Sequence, residues 1–155
     1  MKVKDVMRWT VYSCGPGTNL AEAAKVMWDR DCGALPVVDR NGQVIGMITD
    51  RDICISLATK NRPASDVAVW ESISGAIYTC SPDDDIQDAL KTMAVKRVRR
   101  LPVINSNGEL QGILSMNDIV LKADEAKGWK TPGLSHDDVI RTLKAVCVHR
   151  ELARQ

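Results

Sequence analysis

Polar and apolar positions alternate in two rhythms along this chain, and the rhythms come in the same order twice. Leu20, Ala23, Ala24 and Met27 give one face of a helix that Thr18 can cap and that runs to about Arg30. Ala34 to Val38 is a short apolar run, predicted as a strand, and Gln43 to Ile48 is its partner across the turn signal Asp39-Arg40-Asn41-Gly42. A helix follows from Asp50 to about Thr59. The second round predicts a helix ending near Lys96, strands at Arg100 to Ile104 and Leu110 to Leu114, and a helix from Met116 to about Ala126. A β-prone run opens each round, at Thr10 to Cys14 and at Ile77 to Cys80. Val3 to Met7 reads as a short helical lead-in. Ser135 caps a last helix, expected to reach Leu152, with Val139, Ile140, Leu143, Val146 and Cys147 on one face.

The two rounds are copies of one β-α-β-β-α unit. At an offset of 66 residues, Val11 to Ile53 lies over Ile77 to Ile119 without a gap. Leu35-Pro36-Val37 falls on Leu101-Pro102-Val103, Asn41-Gly42 on Asn107-Gly108, and Cys14 on Cys80. Upstream, Asp5-Val6 resembles Asp66-Val67 at an offset of 61, which places about five extra residues of the second copy between Val69 and Gly75. Internal repetition decides architecture before any local reading. The expectation is an α/β (α+β) fold in which two repeats, 1–61 and 62–126, form one pseudo-symmetric module, followed by a helical extension over 127–155.

Composition narrows the function classes. Lys and Arg number 21 against 20 Asp and Glu, so no charge excess favours nucleic acid or an anionic membrane surface. No apolar run approaches the roughly 20 residues of a spanning helix, and Met1-Lys2-Val3-Lys4-Asp5 does not lead into a signal-peptide core. The five cysteines form no Cys-x-x-Cys pair, and the repeat mates Cys14 and Cys80 read as small buried residues. A cytoplasmic chain with reduced thiols is expected. Phe is absent, so Val, Ile, Leu and Met must fill the core, Met27 and Met93 included.

The candidate chemistry lies where a strand runs into a helix. Thr49-Asp50-Arg51-Asp52 and Ser115-Met116-Asn117-Asp118 are copies of one corner, with a hydroxyl followed three residues later by a carboxylate. This spacing fits a helix capping box. It equally suits a diol, because an ionised Asp accepts hydrogen bonds from both hydroxyls of a ribose. A residue can cap and still face a ligand. Lys96, Arg97, Arg99 and Arg100 precede and enter the strand with Leu101-Pro102-Val103. They form either a solvated surface or a phosphate clamp. Asp31, Gly33 and Ala34 stand at the places matching Arg97, Arg99 and Arg100 in the first copy, so any clamp is asymmetric, with Arg51 as a compensating cation there.

With both Leu-Pro-Val elements, both Asn-Gly turns and both Gly-x-x-[Ser/Thr]-x-x-Asp corners at a constant offset, the chain resembles the tandem cystathionine-β-synthase-type (CBS) domain pair, or Bateman module, over about residues 1 to 125. The resemblance implies two units packed sheet to sheet, with two clefts that take AMP or ATP; S-adenosylmethionine and NAD are further candidates. It implies ribose contacts from Thr49 with Asp52 and from Ser115 with Asp118. It implies adenine pockets from Val11 and Ile77 with their neighbours, and a phosphate contact from Arg100. Ala34 departs from that last pattern, so the first cleft is expected to bind more weakly or to prefer a smaller ligand. It also implies a homodimer shaped as a flat disc.

Three functions compete at this stage. One is a ligand-sensing signal-transduction module that acts on an unknown protein partner; another is a scaffolding dimer with empty clefts. An enzyme such as a nucleotide hydrolase is the third, and the chain offers it no Ser/His/Asp set and no Walker-type loop. No metal is expected, since Cys147 and His149 are two apart on a helix and point apart. The last helix is a candidate partner contact, or it covers the module's own core or extends the dimer interface.

Overall fold

Pro36 and Pro102 explain why each repeat builds only a two-stranded sheet. Cys14 N–H donates to the Pro36 carbonyl at 3.0 Å, and Val38 N–H donates to the Cys14 carbonyl at 2.9 Å. Extending this parallel pairing upstream would need a donor at Pro36, which has no N–H. The β-prone runs at Thr10 to Cys14 and Ile77 to Cys80 are therefore single bridges, Cys14 to Val37 and Cys80 to Val103, and not the strands their composition suggests.

The computed structural model describes residues 1–73, 76–123 and 133–148. Its helices are α1 (Leu20–Asp29), α2 (Asp50–Lys60), α3 (Ile86–Lys96), α4 (Met116–Lys122) and α5 (His136–Cys147). Its strands are β1 (Ala34–Val38), β2 (Val44–Thr49), β3 (Arg100–Ile104) and β4 (Leu110–Ser115). Strands β1 and β2 pair antiparallel with Leu35 opposite Ile48 and Ala34 opposite Thr49, and β3 pairs with β4 in a second sheet. The hairpin glycines Gly42 and Gly108 take φ of 78° and 81°, the left-handed region in which glycine carries no steric cost.

Two caps differ from the sequence reading. Asn19, not Thr18, caps α1, accepting from Glu22 N–H at 2.9 Å, while Thr18 Oγ1 accepts from Gly15 N–H. Helix α4 ends at Lys122, where Ala123 turns extended at φ −74°, ψ 140°, and the expected stretch from 124 to Ala126 lies outside the described residues. His136 Nε2 lies 3.2 Å from the Ala123 carbonyl, where a further helical turn would have continued.

The chain divides into two compact units that interleave in sequence. One comprises Met1–Trp9, Tyr78–Val103 and Gly112–Gln155, the other Thr10–Ile77 and Ile104–Gln111. In the first unit Val3, Val6 and Met7 join Leu101, Leu114 and Ile119 in one core; in the second, Val67 and Val69 join Leu20, Leu35 and Ile48. Each lead-in thus completes the core of the other repeat. Met27 and Met93 are core residues at 6% and 0% exposure, and Cys14 and Cys80 are buried.

The lead-ins also correct the alignment. Val3 N–H donates to the Asp84 carbonyl and Lys4 N–H to that of Pro82; Val69 N–H donates to Thr18 and Trp70 N–H to Pro16. These bonds are related by the same 66-residue offset, as are the single-turn helices Val3–Asp5 and Val69–Glu71. The similarity of Asp5-Val6 to Asp66-Val67 at 61 is fortuitous, and no five-residue insertion separates the copies there.

Helix α5 packs on α3 within its own unit, through Val139, Thr142 and Val146. The expected face is rotated: Ile140 is 51% exposed and Cys147 is exposed, while Thr142 is buried with its hydroxyl donating to the Asp138 carbonyl at 2.8 Å. That bond removes the polarity that would have kept Thr142 at the surface. The expected extension to Leu152 and the residue His149 lie outside the described residues.

Candidate functional site

Thr49 is the last residue of β2 and the N-cap of α2, in extended geometry at φ −117°, ψ 161°. Its hydroxyl donates to Asp52 Oδ2 at 2.7 Å and accepts from Asp52 N–H at 3.1 Å. Thr49 N–H donates to the same carboxylate oxygen at 2.9 Å. Asp50 N–H is taken by the Gly33 carbonyl at 3.2 Å, which ties the corner to the loop before β1. Asp52 Oδ1 has no partner among the described residues, and Asp52 is half-buried. The corner is thus both a capping box and a carboxylate with an oxygen to spare.

The second corner repeats the cap and differs at the spare oxygen. Ser115 closes β4, and its hydroxyl and N–H both donate to Asp118 Oδ2, the N–H at 3.1 Å. Asp118 Oδ1 instead accepts from Arg8 Nε at 2.7 Å, across 110 residues of chain. Asp118 is buried at 8% exposure, whereas the Arg8 side chain is 67% exposed. This hydrogen bond and the Asp118 charge push the Arg8 guanidinium above its usual value. Arg8 is held there by backbone: its N–H and carbonyl pair with Ile113 at 2.9 and 3.0 Å.

Arg8 is the residue that sequence reasoning missed. The signal was the repeat itself, which extends to the N-terminus at the 66-residue offset and thereby assigns the lead-in to the second corner. Besides Val3 over Val69, only the looser matches of Met1 with Val67, Asp5 with Glu71 and Met7 with Ile73 mark that extension in residue type.

The other expected residues are placed as follows. Met116 N–H donates to the Arg99 carbonyl at 3.0 Å, so Arg99 and Arg100 stand at the same end as Ser115. Arg99 is exposed and Arg100 half-buried at the start of β3. Arg51 is exposed on the first turn of α2. Lys96 is spent elsewhere, its ammonium 5.0 Å from the Tyr78 ring centre, as Arg30 is over Tyr12 at 4.4 Å. Val11 and Ile77 are half-buried beside these tyrosines and belong to neither core cluster.

Capping geometry alone does not mark a ligand site. Ser135 and Asp138 form the same box on α5, with Ser135 Oγ donating to Asp138 Oδ2 at 2.7 Å. Burial raises the Asp138 carboxyl, and the hydrogen bonds from Ser135 and Gln87 outweigh it and leave it below the usual range. What separates the two repeat corners from this one is the strand that feeds them, since helix starts at carboxyl ends of strands form ligand crevices. Among the described residues no group of three or more His, Cys, Asp or Glu could hold a metal ion, and no helix is long and apolar enough to cross a membrane.

Comparison with known proteins identifies the family and the fold. A CBS domain model matches twice, at residues 3–59 and 66–125. The CBS domain-containing protein YhcV of Bacillus subtilis is 34% identical over 143 residues, 88% of this chain and 97% of that protein. Hypoxic response protein 1 of Mycobacterium tuberculosis is 30% identical over 150 residues, 97% of this chain and 96% of its own length. A crystal structure of Hypoxic Response Protein I with two coordinated zinc ions superposes with a TM-score of 0.72 at 32% identity, covering 80% of this chain and all (100%) of that one. The CBS domain pair of protein MJ0100, crystallised with 5′-methylthioadenosine and S-adenosyl-L-methionine, superposes with a TM-score of 0.70 at 25% identity, covering 78% and 98%. With both repeats matched and the fold shared, the chain belongs to the CBS domain family and is a CBS pair.

Proposed function

We propose that this CBS pair is a regulatory module that binds an adenine nucleotide of the AMP or ATP type and signals by a change in its conformational population. The observation that carries the reading is the Thr49/Asp52 corner at the end of β2, where one carboxylate oxygen of Asp52 has no partner among the described residues once the cap is complete. An ionised carboxylate with a free oxygen accepts from a ribose diol. Related CBS pairs crystallised with adenosine derivatives lend support, S-adenosyl-L-methionine among them. Arg99 and Arg100 are the phosphate candidates beside Ser115, Arg51 serves beside Thr49, and Val11 and Ile77 supply apolar surface for the base. The action is binding without turnover, in a cytoplasmic setting, and the protein that responds is unidentified.

A homodimer accompanies this reading. Trp28 is 86% exposed on the rim of a groove of about 640 Å³ between α1 and α2, lined by Met27, Cys32, Ile53, Cys54 and Leu57. The matching face of the second repeat is covered by the chain's own α5. The uncovered first-repeat face is therefore the surface for a second copy. A purely scaffolding dimer uses that same face and leaves the corners empty.

The deciding experiment is a thermal-shift and calorimetry screen against AMP, ADP, ATP, NAD and S-adenosylmethionine, on wild type and Asp52→Ala. Ligand that binds the folded state raises Tm by mass action. A shift with one ligand, lost on Asp52→Ala, supports the sensor; no shift on folded protein leaves the scaffold.

A further inference from the structure

Among the described residues, the two corners share the hydroxyl-x-x-Asp pattern and its capping bonds, and they differ at one carboxylate oxygen. Oδ1 of Asp52 has no partner among the described residues, whereas Oδ1 of Asp118 accepts from Arg8 Nε at 2.7 Å. A diol needs that oxygen, because Oδ2 is already engaged by the capping residue's N–H and hydroxyl in both corners. A neutral nucleoside offers nothing to replace a guanidinium on a buried carboxylate. Its hydroxyls would replace a bond between two opposite charges with bonds in which only the acceptor is charged. Arg8 cannot drift away through its backbone either. It is bridged to Ile113, and a side chain at Gly112 would collide with its carbonyl oxygen.

Resting on the nucleotide-binding reading above, we propose that Arg8 is the selectivity-determining residue of this CBS pair: it closes the Asp118 carboxylate, so that the chain takes a single neutral nucleoside, at Asp52. The N-terminal lead-in then does more than complete a core. It carries the group that makes two similar corners unequal, and a motif comparison restricted to the corners shows them as equals.

The test is the stoichiometry of adenosine, a neutral diol ligand, by calorimetry or equilibrium dialysis. Wild type is expected to bind one adenosine per chain. That binding is lost in Asp52→Ala and kept in Asp118→Ala. Arg8→Ala is expected to bind two, the second lost on adding Asp118→Ala. On the Asp52→Ala background, where the first corner is silent, Arg8→Ala should raise adenosine affinity about tenfold or more, the size of one bond to a charged group. Arg8→Gln, which keeps a donor near Asp118 without the charge, serves if Arg8→Ala folds poorly, and should show the same second site at lower affinity. Two adenosines per wild-type chain, or one per chain in both Arg8 variants, overturns the role of Arg8 and leaves the sensor standing. No adenosine on any variant overturns it too, and the wild-type nucleotide screen then decides separately whether the sensor survives.

Discussion

Gly112 sits against the backbone of Arg8. A Cβ built on it would lie 2.6 Å from Met7 Cε and closer still to the Arg8 carbonyl oxygen. Among the described residues, its repeat mate Gly46 meets the side chain of Ile73, with Cδ1 at 2.8 Å. A methyl can rotate away, but a bridged carbonyl cannot. Gly112→Ala is therefore expected to cost about 1–3 kcal/mol, as overpacking of a tight site does, and Gly46→Ala less. Urea unfolding of both variants checks this, and equal costs would show that the Arg8 bridge yields as easily as a side chain. The same substitution should loosen Arg8 from Asp118.

Asp118 and Asp52 should also separate on stability. Both cap a helix, and losing a cap costs roughly 0.5–2 kcal/mol. Asp118 is buried at 8% exposure and bonded through both oxygens, while Asp52 is half-buried with one oxygen spare. Asp118→Ala should therefore lower Tm more than Asp52→Ala. Differential scanning calorimetry without ligand reads the contrast directly, and the reverse order would mean that the Arg8 pair adds nothing to the fold.

Much of this was legible in the sequence, because a repeat at constant offset states its elements twice. The hairpins at Asn41-Gly42 and Asn107-Gly108, the Leu-Pro-Val strands and the two corners all fell where the spacing put them. The early strands failed because β propensity cannot see the missing N–H of Pro36 or Pro102 on a neighbouring strand. The lead-in exchange failed for a related reason. Val3 and Val69 are alike, but nothing local says that each completes the core of the other repeat. Arg8 was missed because its partner is 110 residues away and the one pointer to it, the repeat carried to the N-terminus, is faint in residue type. Thr142 and Ile140 exchanged places on α5 because a buried threonine bonded to the Asp138 carbonyl looks polar in a sequence.

The thiols give a pH prediction. Burial pushes Cys14 up to about 11 and, with the nearby Asp84 charge adding, Cys80 up to about 12. Each is a neutral acid held protonated by the fold, with an ordinary value of 9.0. Their contribution to stability is full below about pH 9 and is lost as pH rises through the folded values. Stability should fall between about pH 9 and 12, and Cys14→Ala with Cys80→Ala should flatten that limb, whatever it does to stability at neutral pH. Native protein at neutral pH should react with a thiol reagent at the exposed Cys54 and Cys147 well before Cys14 or Cys80. Mass spectrometry of the labelled chain identifies the sites, and early labelling of Cys80 would contradict its burial.

Trp28 tests the surface proposed for a second copy. A side chain of that size at 86% exposure, beside the apolar Met27, Ile53 and Leu57, is costly to leave in water and cheap to pair. Trp28→Glu places a charge on the groove rim without touching either core. It should convert a dimer to a monomer in light scattering, with Tm changed little at concentrations where wild type is monomeric. Val95, 66% exposed on α3, is a control of similar apolar character away from that groove, and Val95→Glu should leave the dimer intact. Loss of the dimer with Val95→Glu alone would move the interface to the second repeat, and a wild type that scatters as a monomer at all concentrations would leave the groove to a different protein.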